Sequence, residues 1–290
     1  MLANHRDVRL FLHLAQTLNF GRSSLDCHVS PATLTRAIQR LERELGQLLF
    51  DRTSHGVTLT VEGNRFRVYA LDALDRWQEY CQGSDTSPGL TGQLTVFATV
   101  TACQALLPGL LAPFRAAHPQ ARIDLRTGDA ATALARLDEG DVDVAVAGVP
   151  ARLPESLVSR TVASTELVFV TACEQSDDAL DGPFVLPHRG LVREAAQRWF
   201  RAQGRTPRVA AEPEGHEALL TLVALGYGTG LVPRLVLDTS AVCRGLAIVQ
   251  ADPAVTPLTI GLCVSRASLR RPLVAALWSL TAHAALPPNF

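Results

Sequence analysis

Apolar side chains near the start of the chain recur every three or four residues, which is the period of a helix. Residues 28–46 show this pattern most clearly. Ser30 is a favourable N-cap, Pro31 suits the first helical position, and Gly46 suits the helix end. One stripe is apolar and is formed by Leu34, Ile38, Leu41 and Leu45. The opposite face carries Arg36, Arg40 and Arg43. This face is either solvated, as on an ordinary surface helix, or covered by a partner.

Two shorter helical segments precede this helix, and their presence favours the second explanation, in which a partner covers the arginine face. The first is predicted over residues 7–17 and the second over 20–28, with Val29 and Ser30 as the following turn. Together the three segments predict a helix-turn-helix, in which the last helix enters the DNA major groove. Its apolar stripe then packs on the first two helices, and its arginines face DNA. The predicted DNA-binding residues of this helix are Ser30, Ala32, Thr33, Thr35, Arg36, Gln39 and Arg40.

A short hairpin and a long helix follow. Alternation around a polar turn at residues 54–56 predicts a wing that exposes Arg52 and His55 to DNA. Thr60 then caps a helix that runs to about Cys81. A stripe along this helix contains Phe66, Tyr69, Ala73, Trp77 and Tyr80. Packing within its own domain would explain the stripe. However, a flexible linker at residues 82–92 follows instead of a second hydrophobic element, so we expect a dimer interface.

From residue 94 the pattern changes to strands that alternate with helices, which is typical of parallel sheets. The alternation occurs twice, and extended crossings near residues 161–164 and 264–266 predict two lobes with a cleft between them. Ligands of such sheets bind beyond the carboxyl ends of strands and at helix N-termini. The residues at such positions are Thr99, Thr101, Thr127, Gly128, Asp129, Gly148, His216 and Glu217. We predict that they bind a small-molecule effector.

Several of these residues also have a simpler structural explanation. Thr101 and Asp129 are residue types that cap helices, and His216 is also compatible with an ordinary surface position. Asp129 would repel an anionic effector unless it points into its own helix or accepts a hydroxyl from the effector. The glycine-rich run at residues 226–230 follows a helix rather than preceding one, which predicts a turn and not a nucleotide-binding loop.

Composition excludes several classes of function. The 290 residues are 47% hydrophobic, enough for more than one core. The chain has no lysine, which excludes Schiff-base and P-loop lysine chemistry. It contains neither a C-x-x-C pair nor a recognised hydrolase motif, so we predict no enzyme activity, cofactor or metal site. No apolar run reaches the roughly 18 residues of a membrane span, and no signal peptide is evident, so we expect a cytoplasmic protein without a membrane partner.

Charge is distributed unevenly along the chain. The formal net charge is −1, but residues 1–67 contain nine arginines and six acidic residues, a net charge of +3. The remaining residues contain 18 arginines and 22 acidic residues, a net charge of −4. A basic N-terminal module joined to an acidic body is typical of a DNA-binding head with a second, ligand-binding part.

These features resemble those of one family. The helix-turn-helix, followed by LERELGQLLFDR, TLTVEG and a long helix, resembles the N-terminal domain of LysR-type transcriptional regulators over about residues 5–80. Gly21, Arg22, Ser23 and Ser24 stand where that family often has a pair of alanines. The rest of the chain resembles the family's effector domain, which is built like a periplasmic binding protein.

The resemblance implies an α+β fold with three parts. A winged helix-turn-helix DNA-binding domain occupies residues 1–60, a dimerisation helix and hinge 61–91, and a two-lobed α/β effector-binding domain 92–290. In that last domain, lobe I comprises residues 92–162 and 267–290, and lobe II comprises residues 163–266.

A finer resemblance concerns function. The stretches FLHLAQTLNFGRSS, HVSPATLTRAIQRLE, TGDAA, GHEALLTLVALGYG and LCV are similar to those of family members that activate isoleucine and valine biosynthesis. This implies an activator that binds double-stranded operator DNA as a homodimer or homotetramer and has RNA polymerase as a partner. The implied effectors are acetolactate and acetohydroxybutyrate, which are small hydroxy-keto acids.

Two alternatives remain. One is a LysR-type regulator of another small ligand or of thiol oxidation, although Cys173, Cys243 and Cys263 are widely spaced. The other is a binding protein or enzyme on the two-lobed fold that does not bind DNA, which the basic head disfavours.

Overall fold

The computed structural model describes residues 4–53, 56–81, 89–172, 179–240 and 245–281. The helices in this part are α1 His5–Thr17, α2 Phe20–Asp26, α3 Pro31–Leu45, α4 Val61–Cys81, α5 Val100–Ala105, α6 Leu107–Ala117, α7 Ala133–Asp138, α8 Leu191–Ala202, α9 His216–Ala224, α10 Arg234–Thr239 and α11 Pro272–Leu280. The strands are β1 Phe50–Thr53, β2 Gly56–Leu59, β3 Gly92–Ala98, β4 Ala121–Thr127, β5 Val144–Gly148, β6 Leu157–Ala172, β7 Phe184–Val185, β8 Val209–Ala211, β9 Thr229–Pro233, β10 Leu246–Val249 and β11 Val255–Ser265. None of the described helices is both long enough and apolar enough to cross a membrane.

Helices α1 to α3 form the predicted helix-turn-helix. The Ser30 hydroxyl accepts a hydrogen bond from the backbone N–H of Thr33 at 3.1 Å and starts α3. Gly46, with φ of 69°, ends α3 in the left-handed conformation. The buried side chains of α3 are Leu34, Ala37, Ile38 and Leu41. The prediction for Leu45 is wrong: this residue is 42% exposed because it lies in the last turn, beyond the contact with α1 and α2.

Buried serine hydroxyls hold α2 against α1. Ser23 and Ser24 of α2 are both buried. The Ser23 hydroxyl lies 3.2 Å from Nδ1 of His13 and also hydrogen-bonds the Thr17 hydroxyl. Ser24 donates to the carbonyl of Gly21 at 2.8 Å. Each of these two hydroxyls therefore has a hydrogen-bond partner, so its burial leaves no polar group unpaired.

The wing and the long helix confirm the predicted element order. Strands β1 and β2 pair antiparallel, and the Thr60 hydroxyl accepts from the backbone N–H of Gly63 at 2.8 Å, which caps α4. The prediction that Phe66 belongs to an unpartnered stripe is wrong. Phe66 is only 7% exposed, and its ring centroid lies 4.9 Å from that of Phe11 in the core of the head. The predicted linker at residues 82–92 lies largely outside the described residues.

The body is built on one mixed sheet with the order β4-β3-β5-β11-β6-β9-β7-β8, and β10 pairs with β6. In lobe I, β3 pairs parallel with β4 and β5. In lobe II, β7 pairs parallel with β8 and β9. The long antiparallel strands β6 and β11 join the lobes, where the sequence predicts extended crossings. Each crossing segment is thus part of a continuous strand.

Three helical segments of the body have features that the alternation of strands and helices does not indicate. The helical segment between β3 and β4 is divided at Leu106 into α5 and α6. The segment after Asp129 begins as a 3-10 turn over residues 130–132 before α7 starts. Helix α10 is not predicted from the sequence, although it packs through the buried Leu235 against the core of lobe I.

The long helix also contacts lobe I. Arg67 of α4 is buried, and its Nη2 lies 3.9 Å from a carboxylate oxygen of Asp141. Asp141 also accepts from Arg126 at 2.9 Å and from Arg136 at 3.1 Å. Burial lowers the pKa of Arg67, and the nearby carboxylates oppose this effect. The helix-turn-helix head is thereby connected to the lobe that forms one side of the cleft.

Candidate effector cleft and DNA-binding face

A cleft of about 670 Å³ lies between the two lobes. The structure brings together around it all eight of the residues that the sequence predicts as effector-binding: Thr99, Thr101, Thr127, Gly128, Asp129, Gly148, His216 and Glu217. They come from strand ends and helix starts in both lobes, which is where ligands bind in such folds. That these residues bind an effector stays a prediction.

On the lobe I side, the cap of α5 is Thr99 and not Thr101. The Thr99 hydroxyl accepts from the backbone N–H of Ala102 at 3.2 Å. Thr101 is buried in the first turn of α5 and lines the cleft. A threonine hydroxyl at this position can both donate to and accept from a ligand in the cleft.

Asp129 has two partners in the structure. Its side chain accepts from the backbone N–H of Ala131 at 3.3 Å and caps the 3-10 turn. Its other carboxylate oxygen lies 3.4 Å from Nε of Arg189. Asp129 belongs to lobe I and Arg189 to lobe II, so this ion pair spans the cleft. The simpler helix-cap explanation is therefore correct for Asp129, but it is not the residue's only role.

On the lobe II side, two helices begin at the cleft. Gly190 and Gly215 are the N-caps of α8 and α9, with φ of 92° and 80°. No side chain caps either helix, so the first backbone N–H groups and the positive end of each helix dipole favour a negatively charged group.

His216 is the first residue of α9 and lines the cleft. Its Nδ1 atom is buried and has no hydrogen-bond partner among the described residues. Burial lowers the pKa of the imidazole, which is therefore neutral at pH 7. Buried polar atoms normally have a partner, and a ligand hydroxyl or keto group in the cleft would supply one, depending on the tautomer.

Close approach of the lobes requires a glycine at position 148. A Cβ atom there would lie 2.9 Å from Cδ1 of Leu191 in lobe II and 3.3 Å from Cδ1 of Leu258. Arg189, Leu191 and Leu258 also line the cleft and were not predicted from the sequence. Arg189 neither follows a strand nor begins a helix, so neither of these two sequence signals marks it.

The predicted DNA-binding face lies on the exposed side of α3. Ser30, Ala32, Arg36 and Gln39 are exposed, whereas Thr33 and Thr35 are partly buried. Arg36 donates from Nε to the carbonyl of Ala32 at 3.2 Å, along the helix surface. These positions agree with the predicted contacts, and the contacts of individual residues with DNA stay predictions.

Arg40 and Arg52 have partners within the head. Arg40 donates from Nε and Nη2 to the buried carboxylate of Asp7 at 2.8 and 2.9 Å. Its guanidinium thus joins α3 to α1, and this arrangement corrects the expectation that the whole group faces outward. The guanidinium of Arg52 lies 4.5 Å from the centre of the Phe20 ring. His55 lies outside the described residues.

Only part of the stripe that was expected to form the dimer interface is exposed in the described part of α4. Tyr69 is 57% exposed and Trp77 is 41% exposed. Trp77 stacks on His5 with ring centroids 4.3 Å apart, and Ala73 is partly buried. The side chain of Tyr80 lies outside the described part of the chain. Tyr69, Ala73 and Trp77 are spaced by four residues and form the remaining stripe, which we call the α4 face.

The cysteines that the structure describes have no feature of a reactive pair. Cys27, Cys103 and Cys263 are free thiols. Burial raises the pKa of all three, that of Cys263 to about 12, and this disfavours the reactive thiolate. Cys173, Cys243 and the side chain of Cys81 lie outside the described part of the chain.

A winged helix-turn-helix joined by a helix to a two-lobed domain with a cleft defines a class of protein, the DNA-binding regulators that respond to a small ligand. Comparison with known proteins agrees with this class. Residues 5–64 match the bacterial regulatory helix-turn-helix proteins of the lysR family, and residues 87–285 match the LysR substrate binding domain. The chain belongs to the LysR family of transcriptional regulators.

Individual relatives match over nearly their full length. The HTH-type transcriptional activator IlvY of Salmonella typhimurium is 38% identical, with 95% of this chain and 98% of that protein covered. IlvY of Haemophilus influenzae is 35% identical, with 94% and 98% covered. These relatives are transcriptional regulators.

Two solved structures share the fold. A full-length OxyR variant from Pseudomonas aeruginosa has a TM-score of 0.68 at 21% identity, with 96% of this chain and 95% of that chain covered. Full-length CbnR in complex with its target DNA has a TM-score of 0.59 at 21% identity, with 96% and 99% covered.

Proposed function

We propose that this protein is a cytoplasmic transcriptional activator of branched-chain amino acid biosynthesis. It binds operator DNA through α3 and the wing, and it binds acetolactate or acetohydroxybutyrate in the cleft. The observation that carries the proposal is the composition of the cleft: one lobe presents the hydroxyl of Thr101, and the other presents Nδ1 of His216, which is buried and has no hydrogen-bond partner among the described residues. A ligand that contacts both lobes stabilises the closed arrangement, since it acts only through its different affinity for the two states.

The chemistry of the effector fits this cleft. Acetolactate carries a carboxylate, a hydroxyl and a keto oxygen on a small carbon skeleton. Thr101 and His216 are neutral partners for the hydroxyl and the keto oxygen. Leu134, Leu191 and Leu258 give the cleft an apolar side for the alkyl groups. The relatives that are 35–38% identical over nearly their whole length are named as activators, which supports the direction of regulation.

Assembly and partners follow from the same proposal. The chain forms a homodimer or homotetramer through the α4 face, so that two heads contact two half-sites of an operator. RNA polymerase is the further partner of an activator. Closure of the lobes changes the position of the heads on DNA, because α4 contacts lobe I through Arg67 and Asp141.

Transcription in vitro tests the proposal. The template carries the promoter of the acetohydroxy acid isomeroreductase gene from the same genome, and acetolactate is titrated with the wild-type chain, Thr101→Val and Thr101→Ser. The wild type and Thr101→Ser should activate with increasing acetolactate, whereas Thr101→Val should need more effector because it lacks the hydroxyl. Transcription that responds to neither acetolactate nor acetohydroxybutyrate would contradict the proposal.

A further inference from the structure

The electrostatics of the cleft leave one place for an anionic group. Four carboxylates line the cleft: Asp129, Glu194, Glu214 and Glu217. Among the described lining residues, Arg189 is the only arginine, and His216 is neutral because burial lowers its pKa. A carboxylate ligand is therefore repelled in most of the cleft and attracted near Arg189.

The start of α8 adds backbone donors beside this arginine. Arg189 directly precedes Gly190, the N-cap of this twelve-residue helix, which no side chain caps. Gly190 also lies against lobe I, since a Cβ atom at this position would be 3.4 Å from Cβ of Ala131. The start of α8 thus faces the turn that Asp129 caps. By contrast, α5 has only six residues, and Thr99 already caps it.

A second observation indicates a ligand in the same cleft. Nδ1 of His216, at the start of the neighbouring helix α9, is buried and has no partner among the described residues. Arg189, Gly190 and His216 all line the same cleft. A ligand with a carboxylate at α8 and a hydroxyl or keto oxygen near α9 would provide the missing partner.

We propose that the carboxylate of the effector binds in lobe II, at Arg189 and the first turn of α8, and that it displaces Asp129 from Arg189. This inference rests on the proposed function. Asp129 is the internal competitor, because it offers Arg189 the same chemical group at 3.4 Å. When displaced, Asp129 keeps its hydrogen bond from the backbone N–H of Ala131.

The proposal predicts opposite effects for the two members of the ion pair. Arg189→Gln removes the cation that binds the ligand, so acetolactate should bind about tenfold more weakly or worse. Asp129→Asn removes the competing charge and retains the oxygen that caps the turn, so acetolactate should bind about two- to fivefold more tightly. A misfolded variant cannot bind more tightly, and the Asp129 variant therefore keeps the test decisive.

Isothermal titration calorimetry on the full chain measures these affinities. The probes are acetolactate and its methyl ester, which keeps the hydroxyl and the keto group but has no charge. Arg201→Gln, on the exposed side of α8, and Glu155→Gln, outside the cleft, are the matched controls for the loss of one charge. Both should bind acetolactate like the wild type. The ester should bind the wild type about as weakly as acetolactate binds Arg189→Gln.

Failure of this inference can be distinguished from failure of the proposed function. If the wild type binds acetolactate but both variants weaken it, or neither changes it, the carboxylate lies elsewhere and the inference is overturned while the effector stands. If the ester binds as tightly as the acid, the inference is likewise overturned. If the wild type binds no acetolactate, the proposed effector is wrong and this inference falls with it.

Discussion

Replacing Trp77 with alanine tests whether the α4 face is a dimer interface. Trp77 is 41% exposed, and a tryptophan side chain buries up to roughly 250 Å². A symmetric interface would therefore cover about 100 Å² of Trp77 on each helix. At about 25 cal/mol per Å², two copies would contribute about 5 kcal/mol as an upper estimate, equal to three to four powers of ten in the dimer dissociation constant.

Sedimentation equilibrium of the full chain over a concentration series measures this constant. Trp77 also stacks on His5, so Trp77→Ala removes a contact within the head as well. His5→Ala is the matched control, because it removes the stacking and leaves the α4 face intact. We expect His5→Ala to keep the dimer constant within about threefold and Trp77→Ala to raise it strongly. An equal constant in all three proteins would refute the assignment of Trp77 to the interface.

Three further predictions concern the head and the cleft. Arg36→Ala should weaken operator binding and, if Arg36 contacts a phosphate, reduce the slope of log affinity against log salt concentration by about 1. Gel-shift titrations at several salt concentrations measure both quantities. An unchanged affinity and slope would show that Arg36 does not contact DNA. Arg40→Ala should also lower the midpoint of thermal unfolding, because Asp7 stays buried without its partner; an unchanged midpoint would show that this ion pair does not support the head. The free energy of unfolding should fall as the pH drops below about 6.5, because burial lowers the pKa of His216 and the unfolded chain takes up its proton first. The contribution of neutral His216 to the free energy of unfolding is fully present above about pH 6.5 and is lost as the pH falls towards the lower pKa of the folded protein. Urea unfolding at several pH values should show a weaker pH dependence of this free energy in His216→Gln than in the wild type. The same pH dependence in both proteins would contradict the assignment of this effect to His216.

Local signals were sufficient to predict the head. Caps at Ser30 and Thr60, the glycine at position 46 and the helical spacing of apolar residues define α3 and α4 within a few residues. These signals act between residues that are close in the chain, so the sequence displays them directly. Leu45 shows their limit, since periodicity alone does not indicate where the neighbouring helix stops covering a stripe.

Contacts between distant segments could not be predicted in the same way. Asp7 and Arg40 are 33 positions apart, and nothing in either segment indicates that the arginine turns inward to a buried carboxylate. Phe66 looked unpartnered because its partner, Phe11, lies on the first helix. Such pairings depend on the packing of whole elements.

The location of the candidate cleft could be predicted from the sequence, but its charged residues could be predicted only in part. The eight predicted residues follow strands or begin helices, and that topological rule brings them to one edge of the sheets. Arg189 obeys no such rule, and its role appears only when lobe II is placed opposite Asp129. The polarity of the cleft therefore required the three-dimensional arrangement, whereas its location did not.

The central claim is that one chain binds operator DNA through its head and a small acid in its cleft. A footprint on operator DNA with and without effector tests this claim most directly. The DNA is the region upstream of the acetohydroxy acid isomeroreductase gene, and the protein is the full chain at a concentration that saturates the site. We predict protection in both conditions and a change in its extent when acetolactate is added, because closure of the lobes moves the heads. An identical footprint with and without saturating acetolactate would contradict the account, as would the absence of any protection.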